Sequence, residues 1–295
     1  MQEIVPHLWF DKEATEAAAF YTSLFKHSKV NSVSAITDTP SGDCDIVSFT
    51  LAGQDFMAIS AGPVFKFNPS ISFFTIFDDA ADIDAAWNKL VVGGKVLMPY
   101  QVWPWAKKYG WLQDKYGLSW QLSMSEHPQV GRKITPLLMY TGSATGKAKE
   151  AIEFYTGIFP NSKIDMLAAY EKGEGDQEGF LKHARFTLCG LRFMAMDSSV
   201  KHEFNFNEAI SFLVSCNSQQ EIDHYWTALS ADPKAEQCGW LKDKFGVSWQ
   251  ISPRIMEEML SMGTEEQKKR VTQAFLKMKK FDIASIKKAF AGQGG

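Results

Sequence analysis

Residues 110–123 read GWLQDKYGLSWQLS, and residues 239–252 read GWLKDKFGVSWQIS. Ten of the fourteen positions are identical, and three of the four changes exchange one apolar or aromatic residue for a close relative. Two copies of so specific a string mean an internal repeat, and a repeat decides the fold before any local pattern does. Upstream of each copy, Ala17, Phe20, Tyr21, Leu24 and Phe25 are matched by Ala151, Phe154, Tyr155, Ile158 and Phe159, both sets at helical spacing. The stretch FTLAGQDFMAIS (49–60) answers FTLCGLRFMAMD (186–197). Ile71, Ser72 and Phe73 answer Ile210, Ser211 and Phe212, and Ile83, Trp87 and Leu90 answer Ile222, Trp226 and Leu229. The chain therefore reads as a duplicated domain. Its expected boundaries are 1–125 and 134–253, with the polar linker EHPQVGRK at 126–133 and an extension over 254–295.

Inside each half the apolar period alternates between strand and helix. In the first half, strands are expected at 5–10, 30–36, 46–51 and 56–60, with a helix at 12–25 after the first of them. The order βαβββ then begins again, with strands at 71–77, 96–100, 111–112 and 118–123 and a helix at 82–92. Four βαβββ units in the chain give an α+β fold. Two units side by side, in this reading those of one half, form a curved mixed sheet with helices on its outer face. The concave face is left for a ligand.

The composition is that of a folded globular protein: 45% hydrophobic and 22% charged over 295 residues, with a high aromatic share of 13%. No run approaches the roughly 18 apolar residues of a membrane span. The start MQEIVPHLWFDKEA has no basic segment followed by an apolar one, so a cytoplasmic location is expected. The four cysteines, Cys44, Cys189, Cys216 and Cys238, show no zinc spacing and read as reduced thiols. Residues 264–295 carry a net charge of +5, leaving −8 on residues 1–263. An acidic body with a basic tail does not suit nucleic acid. In the tail, Ile255, Met256, Met259 and Leu260 form a helical stripe ended by Gly263. Thr264 with Gln267 then opens a second helix bearing Val271, Phe275 and Met278. Lys277, Lys279 and Lys280 suit the C-terminus of that helix, and the tail is expected to pack on the acidic body or on a second subunit.

Paired βαβββ units closing with GW-L-x-D-K-[YF]-G-x-S-W-Q resemble the vicinal oxygen chelate superfamily, which includes glyoxalase I, extradiol dioxygenases and bleomycin-resistance proteins. The resemblance is to its PhnB-like branch. It is carried by PHLWFDKEATEAAAFYTSLF, GGKVLMPYQVWPWAKKYGWLQDKYGLSWQ, FNEAISFLVSC and CGWLKDKFGVSWQIS. Some relatives in this branch carry the label 3-demethylubiquinone-9 3-methyltransferase. A methyltransferase using S-adenosylmethionine would show a Gly-rich turn from strand to helix. Here Gly93-Gly94-Lys95 falls between a helix and a strand and reads as a helix end. The run Gly142 to Lys147 has one residue too few between its glycines for a phosphate loop, with Ala148 where a Ser or Thr would meet magnesium.

The resemblance implies metal ligands on the first strand, on the strand opening the second unit and on the last strand, commonly His, His and Glu. The matching residues are His7, Ser72 and Gln121 in the first half and Leu137, Ser211 and Gln250 in the second. A divalent transition metal prefers imidazole and anionic donors, so His7 is the one strong ligand. No cofactor is expected, and a metal in the first half would need a further ligand. His7 and Gln121 are the expected chemical pair, with His7 acting as acid, base or hydrogen-bond donor near neutral pH. Trp9, Ser72, Trp103 and Trp105 are the expected ligand contacts. Leu90 to Gly110 is twenty residues long against ten from Leu229 to Gly239, and its two tryptophans must be hidden under a flap or at a domain contact. Three functions stay open: a glyoxalase-like enzyme, a protein that sequesters a small molecule, and a pseudo-enzyme. The expected partner is a small molecule, without nucleic acid or membrane, in a monomer with an internal pseudo-dimer or in a homodimer.

Overall fold

The computed structural model describes residues 4–39, 42–124 and 134–293, and the expected linker at 126–133 lies outside them. The first half begins with β1 (Ile4–Phe10), α1 (Ala14–Thr22), β2 (Lys29–Thr39), β3 (Gly42–Leu51) and β4 (Gln54–Ser60). Its second unit is β5 (Ile71–Phe77), α2 (Ala80–Leu90), β6 (Lys95–Trp103), β7 (Ala106–Gln113) and β8 (Ser119–Met124). The second half repeats this with β9 (Ile134–Tyr140), α3 (Ala148–Ile158), β10 (Lys163–Ala169), β11 (Leu181–Leu188) and β12 (Leu191–Asp197). It closes with β13 (Ile210–Cys216), α4 (Gln219–Leu229), β14 (Trp240–Lys242) and β15 (Ser248–Pro253), followed by the tail helices α5 (Arg254–Met262), α6 (Glu265–Phe275) and α7 (Ile283–Ala291). The α+β class, the duplication, the mixed sheets and the helical tail are as the sequence implies.

The pairing of the units differs from the expectation that those of one half share a sheet. One sheet runs β14-β15-β13-β1-β4-β3-β2 and the other β10-β11-β12-β9-β5-β8-β7-β6. Each therefore joins a unit of the first half to a unit of the second, through the antiparallel pairs β1–β13 and β5–β9. The reason lies in the aromatic core. The two units of one half bury their helix-bearing faces against each other: Phe25 meets Phe77 and Trp120, and Phe56 meets Phe73. In the second half Phe193 meets Phe212, and Phe159 meets Trp249. With those faces consumed, the open edges of β1 and β5 are completed by the other half.

The repeated signature is the clasp of this core. Asp114, buried, accepts from Tyr21 OH at 2.7 Å, from Trp120 Nε1 at 2.9 Å and from the backbone N–H groups of Tyr116 and Leu118. Asp243 does the same with Tyr155, Trp249, Phe245 and Val247. Burial pushes both carboxyls above their ordinary range, and the four hydrogen bonds to each oppose this. Gly117 has φ +86° and Gly246 φ +92°, the left-handed backbone that turns the chain round the carboxylate. The opening glycine has another cause: a Cβ on Gly110 would lie 2.5 Å from the Trp87 ring, and one on Gly239 2.5 Å from Phe281.

The fourth unit departs from βαβββ, because no strand matching β6 occurs among its described residues. The tail stands in that place. The backbone N–H groups of Cys238 and Gly239 donate to the Met278 and Lys279 carbonyls at 2.8 and 2.7 Å, and Gln237 Nε2 donates to the Leu276 carbonyl. Phe281, 3% exposed, fills the space above Gly239. Lys279 pairs with Glu236 and Lys280 with Asp223, so the basic tail packs on this chain's own acidic body. Both bonds of the Thr264–Gln267 capping box are present. The four cysteines are free thiols. No described helix is long and apolar enough to cross a membrane.

Candidate functional site

Crossed pairing divides the expected site residues between two concave faces. His7 on β1 and Gln121 on β8 lie in different sheets, so the anticipated pair is not assembled. His7 instead shares a sheet with Ser211 and Gln250, and Gln121 with Ser72 and Leu137.

In the sheet containing β5, Ser72 and Phe74 stand in register with Ser119 and Gln121. Gln121 Nε2 donates to Ser72 Oγ at 2.9 Å, and Tyr109 OH donates to Gln121 Oε1 at 2.8 Å. Trp111 Nε1 donates to Ser119 Oγ at 2.8 Å. Burial raises the Tyr109 pKa well above the ordinary phenol value, so its hydroxyl stays protonated and acts as a donor. Beside this polar seam, Leu137, Met139 and Met194 form a small apolar cluster joined by Phe74, Trp111, Met196 and Phe204. A cleft of about 450 Å³ opens next to it, lined by Phe74, Ile76, Trp103, Trp105, Ser123 and Met124 among others.

The flanking segment is a strand hairpin, β6–β7, with the tryptophans at its tip. The two indoles stack on each other at 5.0 Å between centroids, and Trp105 approaches Tyr109 edge-on at 6.4 Å. They are not hidden as expected: Trp105 is 64% exposed at the cleft mouth. The base of the hairpin is held by Tyr100 stacked on Trp87 and by Lys108 bridging to Asp84.

The other concave face is filled. His7 is 4% exposed and lies edge-on to Trp240 at 5.5 Å; Trp240 also packs on Trp9, and Trp9 on Phe65. Gln250 Nε2 donates to Ser211 Oγ at 2.8 Å. Burial takes the His7 pKa down to about 3, so the imidazole is neutral at physiological pH. This corrects the expectation of an acid or base near neutrality: the ring can still hydrogen-bond, but it is a poor proton acceptor.

Neither face suits the metal that the superfamily implies. Gln121 has both ends of its amide engaged and stands with a leucine and a serine. His7 stands with a serine and an amide bonded to that serine. Among the described residues, no group of three or more His, Cys, Asp or Glu side chains comes together. No step through a metal is derived from these donors.

The sequence pattern missed Tyr109, Trp240 and the methionines. Tyr109 carried one signal: Cys238 occupies its place in the second repeat, a departure from otherwise close identity. Met194 and Met196 stand in a strand that reads as ordinary core, and their concave placement follows only from the sheet.

Residues 2–123 and 132–252 each match the family model described as 3-demethylubiquinone-9 3-methyltransferase. The chain belongs to that family, as a tandem pair. Among solved structures, a PhnB protein from Bacillus cereus is 38% identical over 41% of this chain and 98% of its own, with a TM-score of 0.39. Glyoxalase I from Zea mays covers 88% of this chain and 96% of its own at 11% identity and a TM-score of 0.57, a likeness of fold. No curated protein matches the chain.

Proposed function

We propose that the protein binds a small, largely apolar aromatic molecule in the cleft beside the β6–β7 hairpin, and that it sequesters this ligand without transforming it. The observation that carries this reading is the cleft itself: about 450 Å³, with stacked indoles at its mouth. Phe74 lines the cleft, belongs to the methionine-rich cluster and stands in register with Gln121. Thioethers adapt to ligands of varied shape, and the seam of Tyr109, Gln121 and Ser72 supplies a few polar atoms for orientation. Sequestration is favoured over catalysis because the seam holds a protonated phenol, an amide and a hydroxyl, none of which is a base near neutral pH.

Methyl transfer, the activity in the family's description, finds no support in the glycine-rich segments. Gly93, with φ +74°, follows the end of α2 and precedes β6. At the N-terminus of α3, the run Gly142 to Lys147 is closed by the chain's own Asp197 carboxylate, which accepts from Ala148 N–H at 3.1 Å.

Tryptophan fluorescence titrated with 2-naphthol tests the reading. Saturable quenching is expected in the unaltered protein, and Trp105→Ala should weaken it about tenfold, the loss of an aromatic contact worth roughly 1.5 kcal/mol. Its melting temperature should barely move, because the residue is exposed. Equal affinity in Trp105→Ala and the unaltered protein would place the ligand elsewhere.

A further inference from the structure

The cleft beside the β6–β7 hairpin is apolar over most of its wall. Of the described residues that line it, Lys107 is the one with a formal charge, and Ser123 adds a hydroxyl. No carboxylate is among them. Alternation along β7 puts Lys107 on the same face as Tyr109 and Trp111. Lys108, next in the strand, stands on the opposite face, where both oxygens of Asp84 accept from its ammonium at 2.7 Å. The acidic start of α2 is thus met by Lys108, while the ammonium of Lys107 belongs to the cleft wall.

The second half supplies a contrast. AKKYGWL (106–112) answers AEQCGWL (235–241), so Glu236 takes the place of Lys107. Glu236 accepts from Ser230 Oγ at 2.7 Å and pairs with Lys279 of the tail. The charge at this position is therefore reversed between the halves: in the second it docks the tail, and in the first it is a cation beside an apolar cleft.

These surroundings set the chemistry of a ligand. A ring finds Phe74 and the two indoles as apolar walls. The mouth is open to water, with Trp105 64% exposed, so a charged group held there keeps part of its hydration and avoids the cost of full burial. Lys107 makes the favoured charge negative. A carboxylate in the plane of the ring suits this wall better than a phosphate, whose additional oxygens call for more donors than one ammonium and one hydroxyl.

We propose that the ligand of the cleft is an aromatic carboxylate, its ring held by Phe74, Trp103 and Trp105 and its charge selected by Lys107. This rests on the cleft reading above and adds to it the sign of the ligand's charge and the residue that selects it.

Tryptophan fluorescence of the full chain titrated at pH 7 with 2-naphthoate and with 2-naphthamide, its neutral analogue of nearly the same shape, tests the proposal. The carboxylate should bind about fivefold more tightly at low salt, the scale of a solvent-accessible ion pair, and added salt should shrink that preference. Lys107→Met should remove the preference. Lys95→Met, which removes a cation from the other end of the same hairpin, where Lys95 pairs with Gln113, should retain it. Equal affinities for the two probes in the unaltered protein overturn the proposal and leave the cleft reading standing. So does a preference that survives in Lys107→Met, or one lost equally in Lys95→Met, which would report only the general field of the hairpin. Failure of both probes to quench would remove the cleft reading together with this inference.

Discussion

His7 shows how far one residue's chemistry depends on its surroundings. On the sequence it is the one strong ligand among the positions the resemblance implies; in the fold it is buried edge-on to Trp240, which also packs on Trp9, and burial lowers its pKa to about 3. The unfolded chain takes up a proton near pH 6.5 and the folded one only near pH 3, so the folded state binds fewer protons in between. Stability is therefore fully present above pH 6.5 and is lost as the pH falls toward 3. Between pH 6.5 and 4.5 the loss from this group amounts to about 2 kcal/mol. Urea unfolding of His7→Leu across that range should show a shallower slope by about this amount, with stability at pH 7 maintained. An unchanged slope would mean that His7 is hydrated and titrates normally. Asp114 and Asp243 teach the opposite lesson: they sit in the most specific string of the sequence, yet their oxygens are consumed by Tyr, Trp and backbone donors. The signature marks the clasp of each half, with the chemistry of Gln121 and Gln250 on the opposite face of the same strands.

At the scale of elements, the two halves solve one problem in two ways. Beyond β7 the sheet is completed by β6, whose hairpin carries the tryptophans to the cleft. Beyond the short β14, the segment 276–280 between α6 and α7 takes that place. The tail is therefore a structural part of the second half. Phe281→Ala would empty the space above Gly239 and should destabilise the protein by about 3 kcal/mol. In the unaltered protein, loss of residues 254–293 to a protease should track global unfolding in urea. Cleavage of the tail under native conditions with no change in the melting temperature of the remainder would show it to be an ornament. The sequence made α6 legible through Thr264 and Gln267, whose capping bonds are local. It could not reveal the docking of Met278 and Lys279 on Cys238 and Gly239, because those are backbone contacts that leave no side-chain signature.

For the whole molecule, the repeat was legible and the pairing was not. Strand and helix periods, the four units and the helical tail follow from residues that repeat at fixed spacing. Which units share a sheet depends on the edges of β1 and β5, and apolar residues there such as Ile4, Leu8, Ile71 and Phe73 would suit a partner from either half. The candidate site inherited this ambiguity. Ser72, Gln121 and Trp103 fall in the sheet containing β5, with Trp105 in the β6–β7 turn. His7 and Trp9 were assigned to the same pocket only because they belong to the same half. Crossed pairing also makes each half incomplete, since β1 and β5 would otherwise be open edges. Interstrand NOEs in the intact protein measure this pairing directly. The account predicts backbone contacts between β1 and β13 across Pro6/Phe212 and Leu8/Ile210, and between β5 and β9 across Phe73/Pro136. Contacts joining β1 to β5, with none between β1 and β13, would contradict it and return His7 and Gln121 to one site.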